Sequence, residues 1–438
     1  MKTMDNVHLI GIGGSGMSAI ARIFHGMGTT VTGSDSTDSP VIESLRELGI
    51  KIFIGHDGSN INFDTGLVIY SQAIEEDNEE LLQAEEGEIR MMSYPQALGL
   101  LTQNKETVAV CGTHGKTTTT GMIASALIDS GKDPSVVVGA DLHELGNKNA
   151  ILGKSNLMII EACEYKRAFL NFAPNYIVLT NLEPDHFDFY KTYEDYLDAF
   201  RHFIGLLPPD GKLIVNIDND SVRELIDSLR AVNTITFGKS SNADYSFDKI
   251  AKLNLSIPGD HNMMNALAAY ALCGEFNVNE ADVKKSLESF KGAARRFELK
   301  GKIGKTEIYD DYAHHPTAIK ATLKAAREKF GPDAKILCVF QPHQYSRTYN
   351  LLEEFSESFS DADEVIISNI YGVRDSEEDM EKVDVETLVN KISEHHDNAS
   401  HGEGLENTAR IVKEKINDYD FIFTMGAGDV WQIYEDLK

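Results

Sequence analysis

The chain has 438 residues, too many for one compact domain and enough for two or three. Hydrophobic residues make up 42% of it, enough for packed cores, yet no run of about 18 apolar residues is free of charge, so no membrane span is expected. A formal net charge of −28 disfavours nucleic acid as a partner, and anionic ligands must then be held by amide-rich loops and a few Lys or Arg.

Cys111, Cys163, Cys273 and Cys338 are widely spaced and form no CxxC pair. That usage fits a reducing cytoplasm and argues against a zinc module or a disulfide frame. Cys163 is expected to be a small buried filler. Residues 1–7 lack a basic segment followed by an apolar run, so no signal peptide is expected.

Short apolar runs alternate with helical patterns almost throughout, which predicts an α/β fold with parallel sheets. Residues 7–10 predict a strand, followed by a glycine-rich turn and a helix over about 17–27. The turn reads Gly11-Ile12-Gly13-Gly14-Ser15-Gly16, and a second strand at 30–32 leads to Gly33-Ser34-Asp35. Glycines let a backbone approach a phosphate, and a helix N-terminus favours the anion. The pattern predicts a nucleotide or diphosphate site; taken by itself it also suggests a nicotinamide-dependent oxidoreductase, because GxGxxG alone is weak. A further strand is predicted at 66–71. Residues 103–106 are polar and read as a linker.

The strand predicted at 108–111 runs into Gly112-Thr113-His114-Gly115-Lys116-Thr117-Thr118-Thr119-Thr120, which opens a helix to about Ser130 capped by Gly131. This is the setting of a phosphate-binding P-loop. Backbone N–H groups surround the phosphates, Lys116 offsets their charge, and the Thr117 hydroxyl reaches Mg²⁺. The strict pattern fails at its first glycine, where Val110 stands.

The strand at 157–160 ends in Glu161-Ala162-Cys163-Glu164-Tyr165, and the strand at 176–180 ends in Asn181-Leu182-Glu183-Pro184-Asp185-His186. Ligands collect at the carboxyl ends of strands in open α/β sheets, so Glu161 and His186 become candidate partners of Thr117 around a metal. Strands are also expected at 212–215 and 234–237. Next comes Pro258-Gly259-Asp260-His261-Asn262-Met263-Met264-Asn265, starting a helix that continues through 266–272. Asn262 and Asn265 share a helix face, where they could read a nucleobase or cap the helix. A boundary is predicted near 291–294. Beyond it, strands are expected at 335–340, 364–367 and 421–424. Arg295-Arg296-Phe297, Asp310-Asp311-Tyr312-Ala313-His314-His315-Pro316 and Gln341-Pro342-His343-Gln344-Tyr345-Ser346-Arg347 complete the polar clusters, the last two at strand ends.

In order, GIGGSGMS, GTHGKTTTT, TNLEPDH, PGDHNMMNA, RRFE, DDYAHHP, FQPHQYSR and the GAGD at Gly426–Asp429 span essentially the whole chain. Together they resemble the Mur ligase family, the ATP-dependent amino-acid ligases of bacterial cell-wall precursor synthesis. The resemblance implies three α/β domains: a Rossmann-like domain over 1–104 that binds a UDP-sugar, a central P-loop ATP-binding domain over 105–292, and a Rossmann-like amino-acid-binding domain over 293–438. It implies UDP-N-acetylmuramate and L-alanine as substrates, joined through an acyl phosphate with ATP and Mg²⁺. A monomer or weak homodimer, with no nucleic acid and no membrane partner, is expected.

Residue roles follow by resemblance. Gly13, Gly14, Ser15, Gly16, Asp35 and Ser71 face the sugar nucleotide. Gly112, Thr113, His114, Gly115, Lys116, Thr117 and Thr118 cradle ATP, with His261 and Asn265 at the adenine and Arg296 and Asp311 reaching from the C-terminal side. Thr117, Glu161 and His186 serve magnesium. Tyr312, His314, His343 and Arg347 place the amino acid and the reacting carboxylate; Lys116, Glu161, His186, His314 and Arg347 are the catalytic set. The sequence departs from the family's pattern at Cys163 and Tyr165, within what is commonly EADES, and at Gln344, where arginine is usual. No lysine lies between Lys191 and Lys212, so no carbamylated lysine is expected. The alternative within the family is the recycling ligase that adds a murein tripeptide to the same sugar nucleotide.

Overall fold

The computed structural model describes residues 5–229, 232–250 and 253–438. Three sheets follow one another along the chain. The first contains β1 (Asn6–Ile10), β2 (Thr30–Asp35), β3 (Lys51–Ile54), β4 (Leu67–Tyr70) and β5 (Met91–Ser93), in the order β3-β2-β1-β4-β5 with every pairing parallel. The second contains β6 (Glu106–Cys111), β7 (Ser135–Leu142), β8 (Lys148–Ile151), β9 (Leu157–Glu161), β10 (Tyr176–Leu179), β11 (Lys212–Asn216), β12 (Thr234–Gly238) and β13 (Tyr245–Ser246). Its order is β13-β12-β11-β10-β6-β9-β7-β8, parallel except between β7 and β8. The third contains β14 (Glu298–Ile303), β15 (Thr306–Asp311), β16 (Ile336–Phe340), β17 (Glu364–Ile367), β18 (Ala399–His401) and β19 (Phe421–Met425), in the order β14-β15-β19-β16-β17-β18 with β14 alone antiparallel to its neighbour.

Two adjacencies build the site. In the second sheet β6 lies between β10 and β9, so the loops after these three strands emerge side by side. In the third, β19 lies between β15 and β16, which brings the loops after Asp311 and Phe340 together. Buried parallel strands read as unbroken apolar runs, which is why β6, β9, β10 and β16 were legible. Eight strands escaped the sequence reading: β3, β5, β8, β13, β14 and β18 are sheet edges of two to six residues, β14 being bulged between Leu299 and Gly301, while β7 (SVVVGADL) and β15 (TEIYDD) are interior strands whose apolar run breaks off into glycine or acid.

The P-loop helix, Lys116–Asp129, is buried from Thr117 to Leu127 between the sheet and the helices Asp260–Glu275 and Glu280–Ser289. Its all-round burial fixes the position of Lys116 at its first turn. The first sheet is tied to the second through helix Ser15–Gly26, which packs on β7 and β8. There the Ser15 hydroxyl donates to the Gly139 carbonyl at 2.6 Å, and Asn149 Nδ2 donates to the Ser15 carbonyl at 2.7 Å. No helix among the described residues is long and apolar enough to cross a membrane.

Candidate active site

A pocket of about 600 Å³ opens over the first glycine-rich turn. Gly13, Gly14, Asp35 and Ser71 line it, together with His56, which sequence reasoning did not single out. The helix Ser15–Gly26 starts at Gly14 with no side-chain cap, so its first amides are available to an anion. One Asp35 oxygen accepts the Gly13 N–H at 2.8 Å and braces the turn. Ser15 and Gly16 lie outside the pocket: Ser15 bonds to Gly139, and a Cβ on Gly16 would sit 2.5 Å from the Tyr94 ring.

A larger cleft of about 860 Å³ lies where the second and third sheets face each other. Thr113, His114, Gly115, Lys116, Thr117, Thr118, Glu161, His186, His261 and Asn265 line one wall, and Arg296, Asp311, Tyr312, His314, His343 and Arg347 line the other. Of the residues expected there, Gly112 sits behind the surface, pressed against Thr180 and Asn181. Those two residues shape the loop: the Thr180 hydroxyl donates to the His114 carbonyl at 2.6 Å, and the His114 N–H donates to Asn181 Oδ1 at 2.9 Å. Gly115 has φ +81, and a Cβ there would meet Asn265 Oδ1 at 2.4 Å, so the loop needs glycine twice over. Asn265 therefore packs directly against the P-loop, and its Nδ2 donates to Asn262 Oδ1 at 3.3 Å.

Lys116 Nζ donates to the carbonyls of Gly112 and Thr113 at 2.5 and 3.1 Å and lies 3.1 Å from the Glu164 carboxylate. Burial works against the ammonium, but the Glu164 charge overrides it and holds the lysine pKa above its ordinary value. Burial likewise works against the Glu164 charge; Lys116 and then His186 outweigh it and hold the carboxyl below its ordinary range. Glu164 is fully buried and reaches His186 Nε2 at 3.3 Å. Sequence reasoning quoted this residue but gave it no role. The signal was there: a second carboxylate three residues after Glu161, at the same strand end. We expect Glu164→Gln to lower turnover by at least about 10-fold, because it removes the group that orients both Lys116 and His186. Steady-state phosphate release is the measurement; near-normal turnover would release Glu164 from this role.

The expected metal trio is divided by the fold. The Thr117 hydroxyl donates to Glu161 Oε1 at 3.1 Å, while Glu161 Oε2 accepts the Gly139 N–H at 2.7 Å. His186 is joined instead to Glu164 and lies 4.0 Å from Asp185, with φ +56 and its ring 4.9 Å from Tyr165. A hydroxyl and a carboxylate side by side are the oxygen donors that Mg²⁺ takes, so Thr117 and Glu161 fit that ion. One expectation is overturned: Cys163 is exposed and lines the cleft, because it sits in the loop just past β9 rather than within the sheet.

On the opposite wall Arg347 is buried and donates to Asp185 Oδ1 through Nε at 2.9 Å and Nη2 at 2.8 Å. Burial opposes the Asp185 charge, and Arg347 more than offsets this, keeping the carboxyl well below its usual range. This pair clamps the third sheet onto the second. Burial, then the Arg347 charge, pushes His343 down to about 3 and His314 well below its ordinary value. Both imidazoles are therefore neutral at physiological pH. Asp311 accepts the N–H groups of Phe297 and Ala313 at 2.8 and 2.7 Å. The neighbouring Arg295 ties the start of the third domain to its last strand, donating to Asp310 and to the Gly426 and Gly428 carbonyls. Gln344 is buried, and its Nε2 donates to the Val373 carbonyl at 3.3 Å.

Sequence comparison matches residues 6–106 to the Mur ligase family catalytic domain, 110–273 to the Mur ligase middle domain and 295–428 to the Mur ligase glutamate ligase domain. The chain belongs to the Mur ligase family. Among Mur ligases it is 41% identical to the UDP-N-acetylmuramate–L-alanine ligase of Clostridium acetobutylicum, over 98% of this chain and 96% of the relative. It is 40% identical to the enzyme of that name from a Sulfurihydrogenibium species, over 98% and 96%. Its three-domain α/β fold is similar to the crystal structure of UDP-N-acetylmuramate–alanine ligase MurC from Thermotoga maritima, with a TM-score of 0.81 and 28% identity, covering 99% of this chain and 98% of that one. The oxidoreductase alternative has no support: the Asp35 carboxylate braces its own turn, and the family match accounts for all three domains.

Proposed function

We propose that this Mur ligase joins L-alanine to the carboxylate of UDP-N-acetylmuramate, consuming ATP with Mg²⁺, as a step of peptidoglycan precursor synthesis in the cytoplasm. The observation that carries the reading is the convergence of the Lys116 ammonium and the Thr117–Glu161 oxygen pair at adjacent strand ends, facing the neutral histidines of the third domain. Full-length relatives of that name support the choice of substrates. In this reading residues 1–104 hold the sugar nucleotide, 105–292 hold ATP and 293–438 bring the amino acid.

A carboxylate is a poor electrophile, so the acid must first be activated. One of its oxygens attacks the γ-phosphorus, ADP departs, and an acyl phosphate remains. The approach of two anions is disfavoured, and Lys116 offsets the repulsion and stabilises charge on the transferring group. Thr117 and Glu161 would hold Mg²⁺, which supplies further neutralisation of phosphate charge. The amine nitrogen then attacks the acyl carbon, phosphate leaves, and the nitrogen gives up its proton. The departing phosphate can take that proton, because the burial and the Arg347 charge that keep His314 and His343 neutral also make them weak bases. The Arg347–Asp185 clamp keeps the domains together and water away from the activated acid.

Offering the protein L-alanine, L-serine, glycine and the murein tripeptide with UDP-N-acetylmuramate and ATP tests the proposal. The highest rate of phosphate release is expected with L-alanine. Release with the tripeptide alone would overturn the assignment in favour of a recycling ligase.

A further inference from the structure

Under the proposed reaction, an amino-acid carboxylate must be held in the cleft alongside the nucleotide and the acid being activated. Most cations there are committed. Lys116 is paired with Glu164, Lys239 with Asp260 and Arg347 with Asp185. Arg296 lies over Tyr312, with its charge felt at Asp311 on the side assigned to ATP. Arg374 is different. Like Arg296 it forms no ion pair with a carboxylate among the described residues, but it is exposed and lies beside Tyr165 and His343 rather than Asp311.

Its position is fixed from two directions. The guanidinium lies 4.5 Å from the centre of the Tyr165 ring, and Tyr165 is itself anchored by donating to Asp188 at 2.8 Å and by packing 4.9 Å from the His186 ring. A planar guanidinium on an aromatic face keeps its N–H edge free for a carboxylate. The backbone is pinned to the turn after β16. Gln344 donates its Nε2 to the Val373 carbonyl at 3.3 Å and its N–H to the Tyr371 carbonyl at 3.0 Å, and Asp375 accepts the Ser346 N–H at 3.1 Å. Tyr165 and Gln344 are two of the positions at which the sequence leaves the family's pattern, and both touch the Arg374 loop.

We propose that Arg374 binds the α-carboxylate of the incoming amino acid, with Gln344 as a positioning residue that holds its loop against the His343 turn. The assignment rests on the ligase reading and adds to it the group that recognises the acceptor's anionic end. A two-pronged Arg–carboxylate contact accounts for the affinity, and it is lost when either partner is removed.

The test compares L-alanine with L-alaninamide, which has the amine and lacks the carboxylate. Unaltered enzyme is expected to prefer L-alanine by about 10- to 100-fold in kcat/KM, from the usual worth of a charged hydrogen-bonding pair. Arg374→Gln should raise the KM for L-alanine by a similar factor and erase the preference. The KM values for ATP and UDP-N-acetylmuramate should stay within about twofold, since neither contact changes. Arg374→Lys keeps the charge without the fork and should recover only part of the preference; Gln344→Ala should raise the KM for L-alanine with less effect on kcat. The proposal is overturned if Arg374→Gln keeps its KM for L-alanine, or if it loses activity equally with both amines, since that marks a structural role. Failure of the unaltered enzyme to use L-alanine overturns the ligase reading and this assignment with it, and is recognised because no variant is involved.

Discussion

Lys116→Ala is expected to cut turnover by at least about 10³-fold while leaving UDP-N-acetylmuramate binding within about twofold. The lysine is the ammonium that the P-loop presents at the end of β6, and the pocket in which the proposed reading puts the sugar nucleotide lies over a different turn in a different sheet. Phosphate release measures the first quantity and calorimetric titration of the sugar nucleotide the second. The substitution also strands Glu164, fully buried, with the His186 ring as its remaining side-chain partner. Stability should therefore fall with activity. Adding Glu164→Gln should recover part of the melting temperature and none of the turnover, because a neutral amide tolerates burial better than an unpaired carboxylate. That contrast separates the chemical role of Lys116 from its structural one. Near-normal turnover in the single variant would remove the lysine from the mechanism.

Arg347→Ala carries the second large effect. Asp185 and Arg347 are both nearly inaccessible, and they connect the loop after β10 to the helix Tyr345–Asn350 of the third domain. Removing one member of such a pair costs about 3–5 kcal/mol, because the other charge stays buried without compensation. Urea unfolding followed by tryptophan and far-ultraviolet signals should show a lower midpoint and a separation of the two traces. The separation arises because the damage falls on the junction between domains rather than on one core. Asp185→Asn combined with Arg347→Met should regain most of the midpoint. Turnover should stay low in both, since the histidines opposite Lys116 would no longer be held across the cleft. A midpoint for Arg347→Ala within about 0.5 kcal/mol of the parent would show that the pair is not a clamp.

The fold class and the main strands could be read from apolar runs between glycine-rich turns, because buried parallel strands leave that trace. The edge strands could not, and the interior strands β7 and β15 were not read either. β14 is half exposed and lysine-bearing, so nothing in its composition separates it from a loop, and its place in the sheet comes from pairing with β15. Site residues divide in the same way. Lys116, Thr117 and Glu161 sit at strand ends with recognisable neighbours, and the fold delivers Thr117 and Glu161 into contact. Glu164 and Arg374 were missed for a common reason. Their importance lies in what they face across space: Lys116 lies 48 residues from Glu164 along the chain, and Tyr165 touches Arg374 from another domain. Arg347 shows the converse. Its motif suggested a ligand contact, whereas its guanidinium is engaged by Asp185.

The hydrogen bonds from Ser15 to Gly139 and from Gly139 to Glu161 form a strut of two links. One end is the first residue of the helix above the pocket at the first glycine-rich turn; the other is a carboxylate in the cleft beside the P-loop. Gly139 thus joins the walls of the two cavities, one through its carbonyl and the other through its N–H. Linkage then requires symmetry: whatever factor a bound sugar nucleotide lends to cation affinity, the cation returns to the sugar nucleotide.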